Sequence, residues 1–194
     1  MKPLTIIGLA IALVLGMAHA QPSNVPADAT VASVPGNVPQ VVAPNNQDSK
    51  WRPTDAQRER VIQAVRTYLA AKDERRFSDA YAQFTPAQKA VVPFGKWEAD
   101  MKAVYSAAGA AQGRTLKRVT WYNNPPNAPP GIFAAVDFSS QFDELALHCG
   151  FVALQLQMDG SFGIAREEEN SIPKREMAKL SPVALQKIRS QYGC

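Results

Sequence analysis

A change of hydrophobic period at Gly113 constrains this chain most: apolar residues recur every three or four positions before it and alternate after it. Val61, Ile62, Val65, Tyr68 and Leu69 fall on one face of a helix, and Thr54 with Gln57 three positions later has the form of a capping box at its start. That helix is expected to run to about Lys72. Phe77, Ala80, Tyr81 and Phe84 form a second short apolar face. Thr85-Pro86 with Gln88 supplies a further helix start, because proline is tolerated at the first helical position. Phe94, Trp97, Met101, Val104 and Tyr105 mark a third helix, closed by Gly109 or Gly113. Strands follow over 114–122, where Thr115, Val119 and Trp121 favour extended backbone, over 132–140 and 145–157, and from Phe162 to about Glu168. Four prolines make 123–131 a stiff connection that cannot pair in a central sheet, and Asp159-Gly160 sits where a hairpin needs positive φ. Ser181-Pro182 opens a terminal helix ending near Gln191. The expected class is α+β: three N-terminal helices packed on a curved four-stranded antiparallel sheet, with a C-terminal helix.

The two ends bear on compartment. Met1 and Lys2 precede an apolar run and then Ala18-His19-Ala20, the small-x-small pattern of a cleavage site, so residues 1–20 read as a signal peptide. The run is shorter than the roughly 20 residues a membrane span needs. No Cys follows the cut, which speaks against a lipid anchor. The richest later stretch, 145–158, is interrupted by His148, Gly150, Gln155 and Gln157, so no integral membrane segment is expected after cleavage. A periplasmic or secreted protein is implied. Residues 21–50 carry five prolines and no aromatic residue, and read as a disordered Pro-rich tether, either a spacer or a passive tail. Residues 51–194 make a single α+β domain of ordinary size. Without Lys2 the 21 basic residues become 20 against 17 acidic, a net charge of +3. They occur in scattered pairs such as Arg75-Arg76, Lys117-Arg118 and Lys174-Arg175, not as a stripe that neutralises phosphates, so nucleic acid is not an expected partner.

The order of these features resembles a known family. Tyr68-Leu69, Phe77 and Tyr81, Phe94 with Trp97, Arg114 with Leu116, Pro129-Pro130-Gly131-Ile132-Phe133 leading into Val136-Asp137-Phe138, and Asp159-Gly160-Ser161-Phe162 together look like the exported bacterial domain-of-unknown-function family numbered 4019. The likeness covers about residues 60–170. It implies a cone-shaped α+β fold similar to the nuclear-transport-factor-2-like superfamily, with no established activity. The chain departs from the family where an aromatic last strand is usual, reading Ala165-Arg166-Glu167-Glu168-Glu169. A fold of this kind raises the expectation of a pocket without supplying a reaction.

The chemistry-bearing residues are sparse. After the leader only one His remains, with two Cys far apart, so neither a metal site nor a cofactor is expected. No glycine-rich phosphate loop is present. His148 and Cys149 are neighbours in a strand and point to opposite faces, so they cannot act as a pair. His148 shares its register with Val152, Leu154 and Leu156 and reads as a core or edge histidine rather than a catalytic one. An isomerase or hydratase would need a carboxylate base and a Tyr hydroxyl for the oxyanion, for which Asp137, Tyr81 and Tyr105 are the available residues, with His148 beside them. Asp137 alternates with the more apolar face of its strand and is expected to face solvent. Trp121 and Tyr122 beside rigid prolines suit a partner surface, or are ordinary packed aromatics; Arg166 is a further binding candidate. The acidic run 167–169 reads as a solvated strand edge. Cys149 and Cys194 are expected to form a disulfide, with a free Cys149 or a Cys194-linked dimer as rivals. Together these point to a non-catalytic envelope protein binding a protein partner or small ligand, with a small isomerase- or hydratase-type enzyme using the interior pocket as the alternative.

Overall fold

The computed structural model describes residues 38–43, 48, 50–192 and 194. The expected leader, residues 1–20, and much of the 21–50 segment lie outside the described residues. In chain order the elements are β1 (Gln40–Val42), α1 (Asp55–Asp73), α2 (Phe77–Ala82), α3 (Pro86–Val91), α4 (Phe94–Ala108), β2 (Ala111–Asn123), β3 (Ile132–Phe142), β4 (Leu145–Leu156), β5 (Phe162–Pro173), α5 (Lys174–Met177) and α6 (Pro182–Tyr192). The sheet order is β1-β2-β3-β4-β5, antiparallel except that β1 runs parallel to β2. The α+β class holds, but the expected counts do not: the described residues form six helices and five strands.

Each difference has a local cause. α2 and α3 are separate helices because the backbone between them leaves the helix to bridge β5. The Thr85 N–H donates to the Ile164 carbonyl at 2.9 Å, and the Ile164 N–H donates to the Gln83 carbonyl at 2.8 Å. Gly163 makes this approach possible, since a Cβ there would press on the Thr85 side chain at 2.9 Å. The fifth strand, β1, lies inside the segment expected to be a tether. Gln40 sits opposite Val119, and its buried side chain accepts a hydrogen bond from the Trp121 indole N–H at 2.6 Å. A buried indole N–H needs such an acceptor, and the three residues of β1 supply it. β5 runs on to Pro173 instead of ending near 168, and a short α5 precedes the terminal helix.

The helix starts follow the sequence closely. The Thr54 N–H donates to Gln57 Oε1 at 2.8 Å and the Gln57 N–H to Thr54 Oγ1 at 3.2 Å, a complete capping box for α1. Pro86 stands in the first turn of α3 behind its cap, Thr85. Val61, Val65 and Tyr68 of α1, with Trp97 and Met101 of α4, pack on one face of the sheet against Trp121, Ala134, Val136, Val152, Leu154 and Ile164. Phe77, Phe84 and Trp97 meet edge to face at 5.2–6.3 Å between ring centres, closing the helical layer.

Cys149 lies on the sheet face away from the helices and is joined to Cys194, with 5.8 Å between the Cα atoms. This bond ties down a helix with little else to hold it. α6 has only half-buried contacts, at Ala184, Leu185 and Ile188, and Val183 is 78% exposed. With a sequence separation of 45, loss of the bond is expected to cost up to about 4 kcal/mol on the chain-entropy account. Cys194→Ser should lower the denaturation midpoint and make 174–194 the first segment cut in limited proteolysis; an unchanged midpoint would show that α6 holds without the bond.

Candidate functional site

The inward side chains of the sheet form rows whose polarity rises toward one end. Trp121, Ala134, Leu154 and Ile164 make an apolar row; the next is Val119, Val136, Val152 and Glu167; the one after is Leu116, Phe138, Gly150 and Glu169. The carboxylates face inward because of a register shift on β5. Ile164 pairs with Leu154 and Arg166 with Ala153, leaving Ala165 as the extra residue. Plain alternation from Ile164 would turn Arg166 inward and Glu167 outward; the bulge reverses this. Two members of the acidic run therefore face the interior, with only 12 and 15% of their side chains exposed, which corrects the reading of 167–169 as a solvated edge. Only Glu168 stays outside, paired with Arg166 at 3.0 Å. Gly150 is required in the same row, because a side chain there would collide with the Glu168 carbonyl.

Lys72 meets these carboxylates. It is wholly buried, and its Nζ lies 2.6 Å from Glu167 Oε1 and 3.0 Å from Glu169 Oε1. The Tyr68 hydroxyl donates to Glu167 Oε2 at 2.8 Å. A second ion pair continues the cluster: Arg114 on β2 donates through Nε and Nη2 to both oxygens of Asp73, at 2.8 and 2.7 Å. It also donates to the Tyr105 hydroxyl at 2.7 Å and the Ser140 hydroxyl at 2.9 Å. Its guanidinium lies 5.4 Å from the ring centres of Phe138 and Phe142. Such a fork fixes both side chains in one geometry.

Burial opposes charge throughout, and neighbours decide where it survives. Burial disfavours the Lys72 ammonium, but Glu167 and Glu169 outweigh it and hold its pKa above the usual lysine value. Glu169 is brought down to about 2 against the effect of burial, mainly by Lys72 with help from His148 and Arg114. Burial, reinforced by the Glu169 charge, raises Glu167. Burial and the adjacent Glu167 push the Tyr68 phenol well up, and burial and Glu169 do the same for Tyr105. His148 is lowered to about 4 by burial; Glu169 opposes this, and Arg114 and Lys72 add to it. Its Nε2 is 3.9 Å from Glu169 Oε2, its ring packs on Phe142 at 4.9 Å, and its Nδ1 has no hydrogen-bond partner among the described residues.

The residues singled out from the sequence do not all converge. Tyr105 and His148 belong to the buried cluster. Tyr81 lies elsewhere in the helical layer and donates to the Val92 carbonyl at 2.7 Å. Asp137 is on the opposite face of the sheet, paired with Arg118 at 2.8 Å, and burial raises its pKa against that partner. Asp137, Tyr81 and Tyr105 thus share no cavity, and the catalytic set considered for an isomerase is not assembled. Trp121 is a fully buried core residue; Tyr122 is half-buried on the outer face, and Arg166 lies over the Phe151 ring there. Among the described residues no group of three or more His, Cys, Asp or Glu is arranged to hold a metal ion. Lys72, Asp73, Arg114, Glu167 and Glu169 were missed. Lys72 had a readable signal: it continues the Val61, Val65, Tyr68 face of α1 at helical spacing, so a charge was placed where burial was expected.

One end of the cluster opens to a cavity of about 370 Å³ between α1 and β2. Asp73 and Arg114 form its polar wall, Leu69, Leu116 and Val38 its apolar walls, and the exposed Arg66 stands over it. The volume is in the range of about 300–1,000 Å³ typical of ligand sites.

Two outcomes follow for the cluster. Lys72→Met would leave two buried carboxylates without their cation and is expected to destabilise by about 3–5 kcal/mol; adding Glu167→Gln and Glu169→Gln should recover much of that in equilibrium denaturation. The second concerns pH. An unfolded chain protonates His148 near pH 6.5, while the folded chain waits until about 4. Protons therefore favour unfolding across that window, and stability should fall as pH drops from 6.5 to 4 by up to about 3 kcal/mol. Glu169 adds to the loss between its usual carboxylate range and about 2, while the raised Glu167 works in the opposite sense. His148→Gln should flatten the slope above pH 4.5 in urea titrations.

No curated protein matches the chain. Solved structures similar to it include the helical cell shape determining protein Pgp2 from Campylobacter jejuni, at a TM-score of 0.48 and 11% identity over 63% of this chain and 44% of that one. A putative dehydratase of the NTF2-like family from Streptomyces avermitilis gives 0.43 and 14% over 62% of this chain and 99% of that one. Bd1075 from Bdellovibrio bacteriovorus gives 0.43 and 12% over 62% and 42%. The chain spans less than half the length of the first and third. The family of proteins of unknown function designated DUF4019 matches residues 64–166, from within α1 to the bulge of β5, and with more than half of its length so matched the chain belongs to that family.

Proposed function

We propose that this protein is an exported, non-catalytic binding domain of the cell envelope, periplasmic or secreted, that takes its ligand or partner at the cavity between α1 and β2. The observation that carries the reading is the make-up of that cavity: apolar walls, a fixed Asp73–Arg114 pair and a second guanidinium, Arg66, at the rim. Recognition needs a shaped apolar space with a few oriented polar groups, and these are present. Proton transfer needs a base with a free lone pair directed at substrate. Both Asp73 oxygens are engaged by Arg114, Glu167 is held by Lys72 and Tyr68, and Glu169 by Lys72. Export is supported by the leader-like residues 1–20 and by the Cys149–Cys194 bond, which persists in oxidising compartments. Among the described residues no helix is long and apolar enough to cross a membrane.

The test is a photo-reactive side chain at Leu116, which faces the cavity from β2, in the producing cell. A discrete adduct is expected, and Ala70→Trp, which fills the cavity from an exposed helix position, should reduce it at least tenfold without lowering the melting temperature. No adduct at Leu116, or an adduct indifferent to Ala70→Trp, would overturn the reading.

A further inference from the structure

Among the described residues, the cavity is bounded on one side by a strand edge that carries no partner. β1 covers only Val119, Thr120 and Trp121 of the thirteen residues of β2, and among the described residues no strand pairs with that edge from Ala111 to Arg118. An open edge presents a row of N–H and C=O groups spaced for another backbone. β1 already shows how an added strand sits there. The Val119 N–H donates to the Pro39 carbonyl at 2.8 Å, and the next residue upstream, Val38, places its side chain in the cavity wall, where it is only 6% exposed. Beyond Val38 the space between α1 and β2 continues, and no strand among the described residues fills it.

Resting on the binding reading above, we propose that this space is a strand-addition site, and that its occupant is an extended peptide of a partner protein carrying an acidic side chain. Charge selects the acidic side chain. Arg66 and Lys117 have no ion-pair partner among the described residues, and Asp73, the carboxylate of the cavity, is already engaged by Arg114. Main-chain bonds to the β2 edge would supply affinity, and the side chain reaching Arg66 would supply selectivity. The chain's own upstream residues are a poor alternative occupant. Pro35 has no N–H to offer a ladder, Gly36 has no side chain for the cavity, and residues 30–37 contain no carboxylate.

The experiment titrates the oxidised full chain with end-blocked octapeptides of alternating Val and Thr carrying one central Glu or one central Lys, and with the Glu peptide N-methylated at alternate backbone positions. The Glu peptide should bind, with slowed amide exchange over 111–118. The Lys peptide should bind at least tenfold more weakly, and N-methylation on the ladder side should abolish binding. Arg66→Glu, at an exposed position without a partner, should reverse the preference toward the Lys peptide, a reversal that a misfolded variant cannot produce. Failure of all the peptides to bind, equal affinity for the Glu and Lys peptides, or indifference to N-methylation overturns strand addition. If the Leu116 adduct still forms in that case, the binding reading stands and only this inference falls; if the adduct is absent too, both fall.

Discussion

A lysine ammonium in the middle of a protein sets the terms for everything around it. Placing Lys72 out of contact with water costs several kcal/mol of lost hydration, recovered only by opposite charge at contact distance. Two carboxylates provide it, and they belong to β5, nearly a hundred residues away in sequence. A hydrocarbon side chain would let α1 shift by a turn over the sheet at modest loss, because apolar contacts are non-directional. The ammonium allows one position. The bulge at Ala165 is what turns both carboxylates toward that charge.

The same requirement divides the interior. At the apolar end the rows are closed by Trp121, Leu154 and Ile164 and by the aromatic layer of the short helices. At the polar end the cations and carboxylates are linked, so that removing one partner exposes the others to an uncompensated field. His148 sits at the border, with aromatic rings on one side and Glu169 on the other. Lacking a partner at Nδ1, it stays neutral because its surroundings solvate charge poorly.

Much of the fold was legible because it rests on local rules. Thr54 and Gln57, Thr85 and Pro86, the period change at Gly113 and the Asp159-Gly160 turn each act within a few residues, and the elements they mark are present. Gly160 has φ of 81° in that turn. What escaped depends on partners distant in sequence. Gln40–Val42 carries no strand signal of its own strength and is ordered by the β2 edge and the indole of Trp121. The inward turn of Glu167 and Glu169 depends on one extra residue, and a single slip of register exchanges the two faces of a strand. Arg114 carried no signal of its role because its partner, Asp73, is the last residue of α1, 41 positions away. Lys72 alone could have been found, as a charge on an otherwise apolar helical stripe.

This division between a saturated interior and an unsaturated rim is what favours recognition over catalysis. A group that moves protons must exchange partners during a turnover, whereas Asp73 and Glu167 are each held by two or more donor groups and Glu169 by the Lys72 ammonium, in a setting where losing a partner is costly. On the proposed binding reading, that rigidity presents the Asp73–Arg114 pair in a fixed orientation at the cavity wall, so that a ligand need not order it. Arg66, by contrast, is exposed and has no carboxylate partner among the described residues. The molecule thus carries its unspent electrostatic capacity at the mouth of the α1–β2 cavity, beside the open part of the β2 edge, where an extended chain bearing a carboxylate could meet both.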